Sequence, residues 1–261
     1  MRVTEYTVPA DNDRTIAVVS DLHEREPSEI LKLLQDMKPD CICIPGDTLE
    51  RNTGADKRDG FWMRSLHDVL IFADSLLFGG KTPHKNEYAM RFLQEAARIA
   101  PTFLSLGNHE RGLTQDDREQ LRASHITLLD NTDCCFDEMH IGGLSPKPDL
   151  SWLERFSQYS GFKLLLCHHP EYYPLYLHDK KIDLIVSGHV HGGQIRLCGK
   201  GIFAPGQGLF PKYYHGVYHK RLIVSAGCSN TASIPRWGNP CEIVKITMYR
   251  DEMQERQNVS S

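Results

Sequence analysis

Short apolar runs recur along the chain, each closed by polar or turn-forming residues. They stand at 15–20 (TIAVVS), 40–45 (DCICIP), 101–106 (PTFLSL), 163–167 (KLLLC), 183–187 (DLIVS), 222–226 (LIVSA) and 242–248 (EIVKITM). Their shortness and richness in β-branched residues predict buried strands. Residues 27–37 have a different rhythm. There Ile30, Leu31, Leu33, Leu34 and Met37 fall at helical spacing, and the pattern stops before Pro39. Residues 85–100 and 171–178 also read as helices. Strands alternating with helices predict a layered α/β fold. The late strands, with few helices between them, predict a second sheet packed on the first.

A mostly helical insertion is expected around 53–100. Its stretch 61–78 (FWMRSLHDVLIFADSLLF) is amphipathic and rich in large apolar groups. Two readings fit: a helix covering a sheet face, or a lid or greasy surface beside a site. No Gly/Ser or Pro tract, low-complexity segment or repeat interrupts the 261 residues. They therefore read as one domain, long enough to bury a sizeable core.

The residues that close the runs are more specific. The first run ends in Asp21-Leu22-His23, the second in Gly46-Asp47, the third in Gly107-Asn108-His109-Glu110. KLLLC leads into His168-His169-Pro170, and DLIVS into Gly188-His189-Val190-His191. In an open α/β sheet, ligands bind beyond the carboxyl ends of the strands. Residues two apart in extended chain share a side, which groups Asp21 with His23 and His189 with His191. The glycines before Asp47, Asn108 and His189 permit tight turns or close backbone approach.

Carboxylate, amide oxygen and imidazole together suit Mn, Fe or Zn. The donors exceed the needs of one four-coordinate zinc. They suffice for two cations about 3.5–4 Å apart, provided a carboxylate bridges them. Asp47 is the natural bridge. The spacing leaves open which histidine of the HHP triplet, His168 or His169, is the ligand.

In this order, DxH, GD, GNHE, H and GHxH resemble the motifs of the calcineurin-like metallophosphoesterases, from about Ile16 to His191. The likeness continues through GHVHGGQ (188–194), Pro205, KYYHGVY (212–218), an SAG turn (225–227) and IPRWGNPCEI (234–243). This longer pattern is similar to a bacterial phosphodiesterase branch carrying GHTHGGQ, whose members include enzymes of nucleotide-linked lipids and cell-envelope phosphodiesters. The resemblance implies a four-layer α/β/β/α sandwich of two mixed sheets flanked by helices. It implies two divalent ions. Asp21, His23, Asp47 and His191 would hold the first, and Asp47, Asn108, His168 and His189 the second. His109 would be the catalytic histidine; Glu110, beside it in sequence, reads either as a group orienting it or stabilising its charge or as a solvent-exposed residue at a helix start. The implied reaction is hydrolysis of a phosphodiester or pyrophosphate by in-line attack of a metal-bridging hydroxide, with phosphomonoester or nuclease activity of the same fold as the alternative.

Gly192, Gln194 and Arg236 are candidate substrate contacts. Three departures from the branch stand out. The segment between GD and GNHE is longer, an N-terminal anchor is absent, and Ala226 stands where the branch often has arginine. A phosphate contact would then be lost, or supplied by Arg236 or Arg196. The aromatic cluster Tyr213, Tyr214, His215 and Tyr218 fits either base stacking or a core.

Composition narrows the partners. At net charge −4 the chain lacks the basic stripe of a dedicated nucleic-acid binder. A phosphoester substrate, nucleotide- or lipid-linked among the candidates, is the expected partner. The eight cysteines form no CxxC pair, and Cys41, Cys43 and Cys167 lie inside apolar runs, so reduced buried thiols are expected. The N-terminus has no apolar signal region and no run nears the roughly 18 residues of a membrane span. A cytoplasmic location is the resulting expectation. A closed structural site would favour cysteine, and a binding module that had lost its chemistry would lack ligands or His109. The set here is complete.

Overall fold

A computed structural model describes residues 1–51, 87–204, 207–229 and 236–250. The apolar run 61–78, the rest of the expected insertion before residue 87, and Pro205 lie outside the described residues.

The runs form strands where the pattern places them. β1 (Arg2–Ala10) and β2 (Arg14–Val18) lead, and β3 (Cys41–Ile44), β4 (Thr102–Ser105) and β5 (Ile126–Leu129) come after them. Next come β6 (Thr132–Phe136), β7 (Met139–Leu144), β8 (Phe162–Cys167) and β9 (Leu184–Ser187). Two small hairpins pair β10 (Arg196–Leu197) with β11 (Lys200–Gly201) and β12 (Phe203–Ala204) with β13 (Gly208–Leu209). β14 (Gly216–Tyr218), β15 (Leu222–Val224) and β16 (Glu242–Arg250) complete the series.

Two mixed six-stranded sheets result, in the orders β1-β16-β2-β3-β4-β5 and β14-β15-β9-β8-β7-β6. In the first, β2, β3, β4 and β5 run parallel. In the second, β7, β8, β9 and β15 do. β16 corrects the expectation that the late strands build the second sheet. It inserts between β1 and β2, parallel to one and antiparallel to the other. The second sheet instead begins at β6.

Helices cover both outer faces. α1 (Ser28–Met37) buries Ile30, Leu31 and Leu34, and α2 (Glu87–Ile99) buries Phe92 and Leu93. With α3 (Gln115–Ala123) they pack on Ala17, Ile42, Ile44 and Leu104 of the first sheet. α4 (Leu150–Ser157) lays Trp152 and Phe156 on Leu165, Ile185 and Leu222 of the second. Between the sheets lie Ile16, Val18, Cys43, Leu164, Leu166 and Val186. Alternate residues of one strand thus serve two different cores, as a period of two requires. The layers together make a four-layer α/β/β/α sandwich. Residues 171–178, expected as a helix, form only one wide turn at Tyr173–Leu177.

Candidate metal centre

The carboxyl ends of the parallel strands of both sheets meet at one edge. β2 leads into Asp21 and His23, β3 into Asp47, and β4 into Asn108 and His109. β8 delivers His168, and β9 delivers His189 and His191. Two groups of donor atoms, each within 4.8 Å of one another, are Asp21/His23/His191 and Asp47/His168/His189. Asp47 touches both sides. Its Oδ2 lies 3.0 Å from His168 Nε2, 3.7 Å from His23 Nε2 and 3.8 Å from His109 Nε2. In the HHP triplet His168 faces Asp47, whereas His169 Nδ1 lies 3.0 Å from Glu171 Oε1 and joins Glu171 and His189 in a further group of donor atoms.

The unmet bonding of the donors shows that they fit cations. Asp21 Oδ2, His23 Nε2 and Asn108 Oδ1 are buried without a hydrogen-bond partner, and His168 Nε2 has only the Asp47 carboxylate beside it. Such atoms normally find one, and orphaned oxygen and imidazole donors at the strand ends match the hard and borderline ions expected from the donor set. Burial pushes the His189 pKa well down, and that of His191 down to about 4. Both are therefore neutral, the form that ligates. Burial also disfavours protonated His168, but the Asp47 charge overrides it and raises its pKa to about 9. A cation would replace that proton.

The backbone is bent hard to achieve this. Asp21, His23, Asp47, His189 and His191 all have positive φ, between 45° and 72°. Gly46 and Gly107 pack the two central turns together. A Cβ on Gly46 would collide with the Gly107 backbone, and one on Gly107 with the Asp47 carboxylate.

Glu110 makes no hydrogen bond to the His109 imidazole, and its charge is among those that raise the His109 pKa. Its carboxylate accepts from the backbone N–H groups of Asp47 (2.9 Å), Thr48 (2.6 Å), Leu49 (2.8 Å) and Gly107 (2.8 Å). Glu50 is the residue on the His109 ring. Its Oε2 lies 2.7 Å from His109 Nδ1, and its Oε1 lies 2.7 Å from His23 Nδ1. Burial works against the Glu50 charge, yet the two imidazoles hold its pKa down to about 2. Burial likewise opposes charge on His109, but Asp47 and Glu50 raise its pKa to about 10. The signal for Glu50 was present in GDTLE, three residues past Asp47.

Gly192 turns with φ 65°, directly after His191. Gln194 is buried. Arg236 Nη2 stands 3.3 Å from His191 Nδ1 and donates to the Ser229 carbonyl, while its Nε and Nη1 are buried without an acceptor. The aromatic cluster divides. Tyr213 is part of the core, Tyr218 Oη accepts from Tyr214 N at 3.1 Å, and His215 lies on Glu242.

A two-sheet sandwich with a carboxylate-, amide- and imidazole-lined centre at its strand ends defines a metal-dependent phosphoesterase class. The family model for calcineurin-like phosphoesterases matches residues 14–193, more than half the chain. The chain belongs to this family, whose members are metal-dependent hydrolases of phosphoesters. It is 23% identical over 235 residues to the uncharacterized metallophosphoesterase YkoQ of Bacillus subtilis (strain 168), covering 83% of this chain and 70% of YkoQ. Over 121 residues it is 28% identical to the phosphodiesterase YaeI of Escherichia coli (strain K12), covering 40% of this chain and 42% of YaeI. Among solved structures it is similar to the Escherichia coli phosphoesterase YfcE, at 14% identity and a TM-score of 0.44, with 88% and 87% of the two chains covered.

Proposed function

We propose that the chain hydrolyses phosphodiester or pyrophosphate bonds at a dinuclear centre, within the bacterial branch marked by GHxHGGQ. Asp21, His23, Asp47 and His191 would hold one cation, and Asp47, Asn108, His168 and His189 the other. The cations, when bound, supply Lewis acidity toward phosphate oxygens and make a nucleophilic water available near neutral pH. The observation that carries the reading is the convergence of Asp21, His23 and His191, and of Asp47, His168 and His189, into two adjacent donor groups, with Asp21 Oδ2 and His23 Nε2 buried without a hydrogen-bond partner.

The chain's own residues do the rest. Glu50 on Nδ1 fixes the His109 ring and turns its Nε2 edge toward Asp47. From there His109 protonates the departing oxygen, while Glu50 stabilises the imidazolium. Asn108 adds an oxygen donor without adding negative charge, which keeps the centre attractive to an anion. The free N–H groups of Arg236 donate to phosphoryl oxygens in place of the arginine missing at Ala226. Glu110 shapes the Asp47 turn through its backbone N–H bonds.

Metal-stripped protein reloaded with Mn²⁺, Zn²⁺ or Fe²⁺ is expected to cleave a chromogenic bis-phosphodiester and nucleotide-linked pyrophosphates. His109→Ala should lower kcat by roughly 10²–10⁴-fold with metal content unchanged. Turnover of monoesters alone would remove the diesterase assignment, and a full rate in His109→Ala would remove its role.

A further inference from the structure

The segment after the last metal-ligand turn has an unusual surface. From Leu184 to Cys241 the sequence holds six Lys or Arg and no Asp or Glu, in a chain of net charge −4, and three of the six, Lys200, Lys212 and Lys220, are exposed. Large apolar side chains of the same segment face water: Phe210 is 76% exposed, Trp237 62%, Leu209 57% and Leu197 53%. Exposed apolar groups scattered singly need no explanation, but grouped ones mark a contact surface.

A backbone ladder groups these. Ile195 bridges to Trp237, and Arg196 N donates to the Trp237 carbonyl. Ile202 N donates to Ile195, and Phe210 N donates to Ile202. Leu197 faces Lys200 across one hairpin, and Leu209 faces Phe203 across the other. Lys200 and Lys212 are exposed among them. This ladder adjoins the candidate centre, since a Cβ on Gly193 would stand only 2.8 Å from the Gly201 Cα.

We propose that the hairpins β10–β13 with Trp237 form a docking surface for an anionic lipid bilayer, which sets the metal centre beside the membrane interface. The chemistry selects lipid over a protein partner. Lysine is depleted from protein interfaces. At a bilayer, long cationic side chains lie along apolar surface with their heads in the polar layer, and tryptophan settles at the same depth. Each cation near an anionic leaflet adds attraction that salt screens. The surface needs no catalysis to operate, so it stands or falls apart from the phosphoesterase reading.

Co-sedimentation of the full chain with vesicles of phosphatidylglycerol and phosphatidylcholine, and with phosphatidylcholine alone, tests it. The expected result is binding to the anionic vesicles that weakens with added salt, with little binding to the zwitterionic ones. Phe210→Ser with Trp237→Ser should reduce binding at least ten-fold, and Lys200→Glu with Lys212→Glu should remove the preference for anionic lipid. All four positions are exposed, so unchanged melting curves are expected and confirm that the variants fold. Absence of wild-type binding, or equal binding by both double variants, overturns the proposal. So does a wild-type dimer in light scattering that Phe210→Ser converts to monomer without any vesicle binding, because the surface would then belong to a second copy.

Discussion

Glu50 shows how much one side chain decides. It accepts from two rings at once, one of a candidate ligand and one of the candidate proton donor. Losing it frees the His23 ring to take the wrong tautomer and leaves His109 without a partner for its charge. Removing such a supporting carboxylate typically costs 10–100-fold in metal affinity or activity. For Glu50→Gln we expect kcat to fall roughly 10–100-fold while KM changes little, measured with metals at saturation on a bis-phosphodiester. A rise in KM with kcat intact would instead mark Glu50 as a substrate contact. No periodicity pointed to this residue. A carboxylate in a polar turn reads as solvated until the fold brings the GNHE turn against it. The positive φ angles of five candidate ligands were hidden for the same reason. Left-handed backbone at non-glycine residues costs of order 1–3 kcal/mol each, and nothing in side-chain identity announces it.

At the scale of elements, Glu110 joins the turns after β3 and β4. Its buried carboxylate is the acceptor for four backbone N–H groups, three from one turn and one from the other. Truncation would leave these donors buried and unpaired, at about 1–3 kcal/mol for each that water does not reach. Glu110→Ala is therefore expected to lose at least ~3 kcal/mol, lowering Tm by roughly 6–12 °C for a chain of this size. Thermal denaturation of the metal-free protein checks it, and an unchanged Tm would deny the strut role. The strands that carry the centre were legible because β3, β4 and β9 are buried on both faces, which leaves continuous apolar runs. β1 and β6 were not, because their residues are half-exposed and mix threonine, charge and cysteine. β10–β13 were too short to show any period. The place of β16 depends on its pairing with β1, a contact between the two ends of the described chain that local pattern does not contain.

Across the whole molecule, that pairing is fastened by one buried carboxylate. Glu242 opens β16 and is fully buried. It accepts from Thr4 of β1 at 2.5 Å, from Arg2 at 3.1 Å and from the Ala226 N–H at 2.9 Å, and lies 3.1 Å from His215 Nε2. It thus ties the first sheet to the turn that leaves β15 of the second. Gly227 of that turn presses on the Asp21 carboxylate, where a Cβ would stand 2.7 Å from Oδ2. Burial alone would raise the Glu242 pKa, but His215, Thr4 and the Ala226 amide together pull it down to about 2. A carboxyl whose folded pKa lies below the unfolded value of 4.5 adds stability that is fully present above pH 4.5. That stability drains away as the pH falls toward about 2. The shift corresponds to about 3 kcal/mol. Glu242→Gln is therefore expected to be less stable than the parent at pH 7, with the difference shrinking between pH 4.5 and 2. Urea midpoints measured at pH 7, 4 and 3 read it directly. Parallel losses for the two proteins would mean that other carboxylates set the acid limit. A difference that closes as the pH falls would place the fastening of both sheets, and of the Asp21 turn behind them, on Glu242.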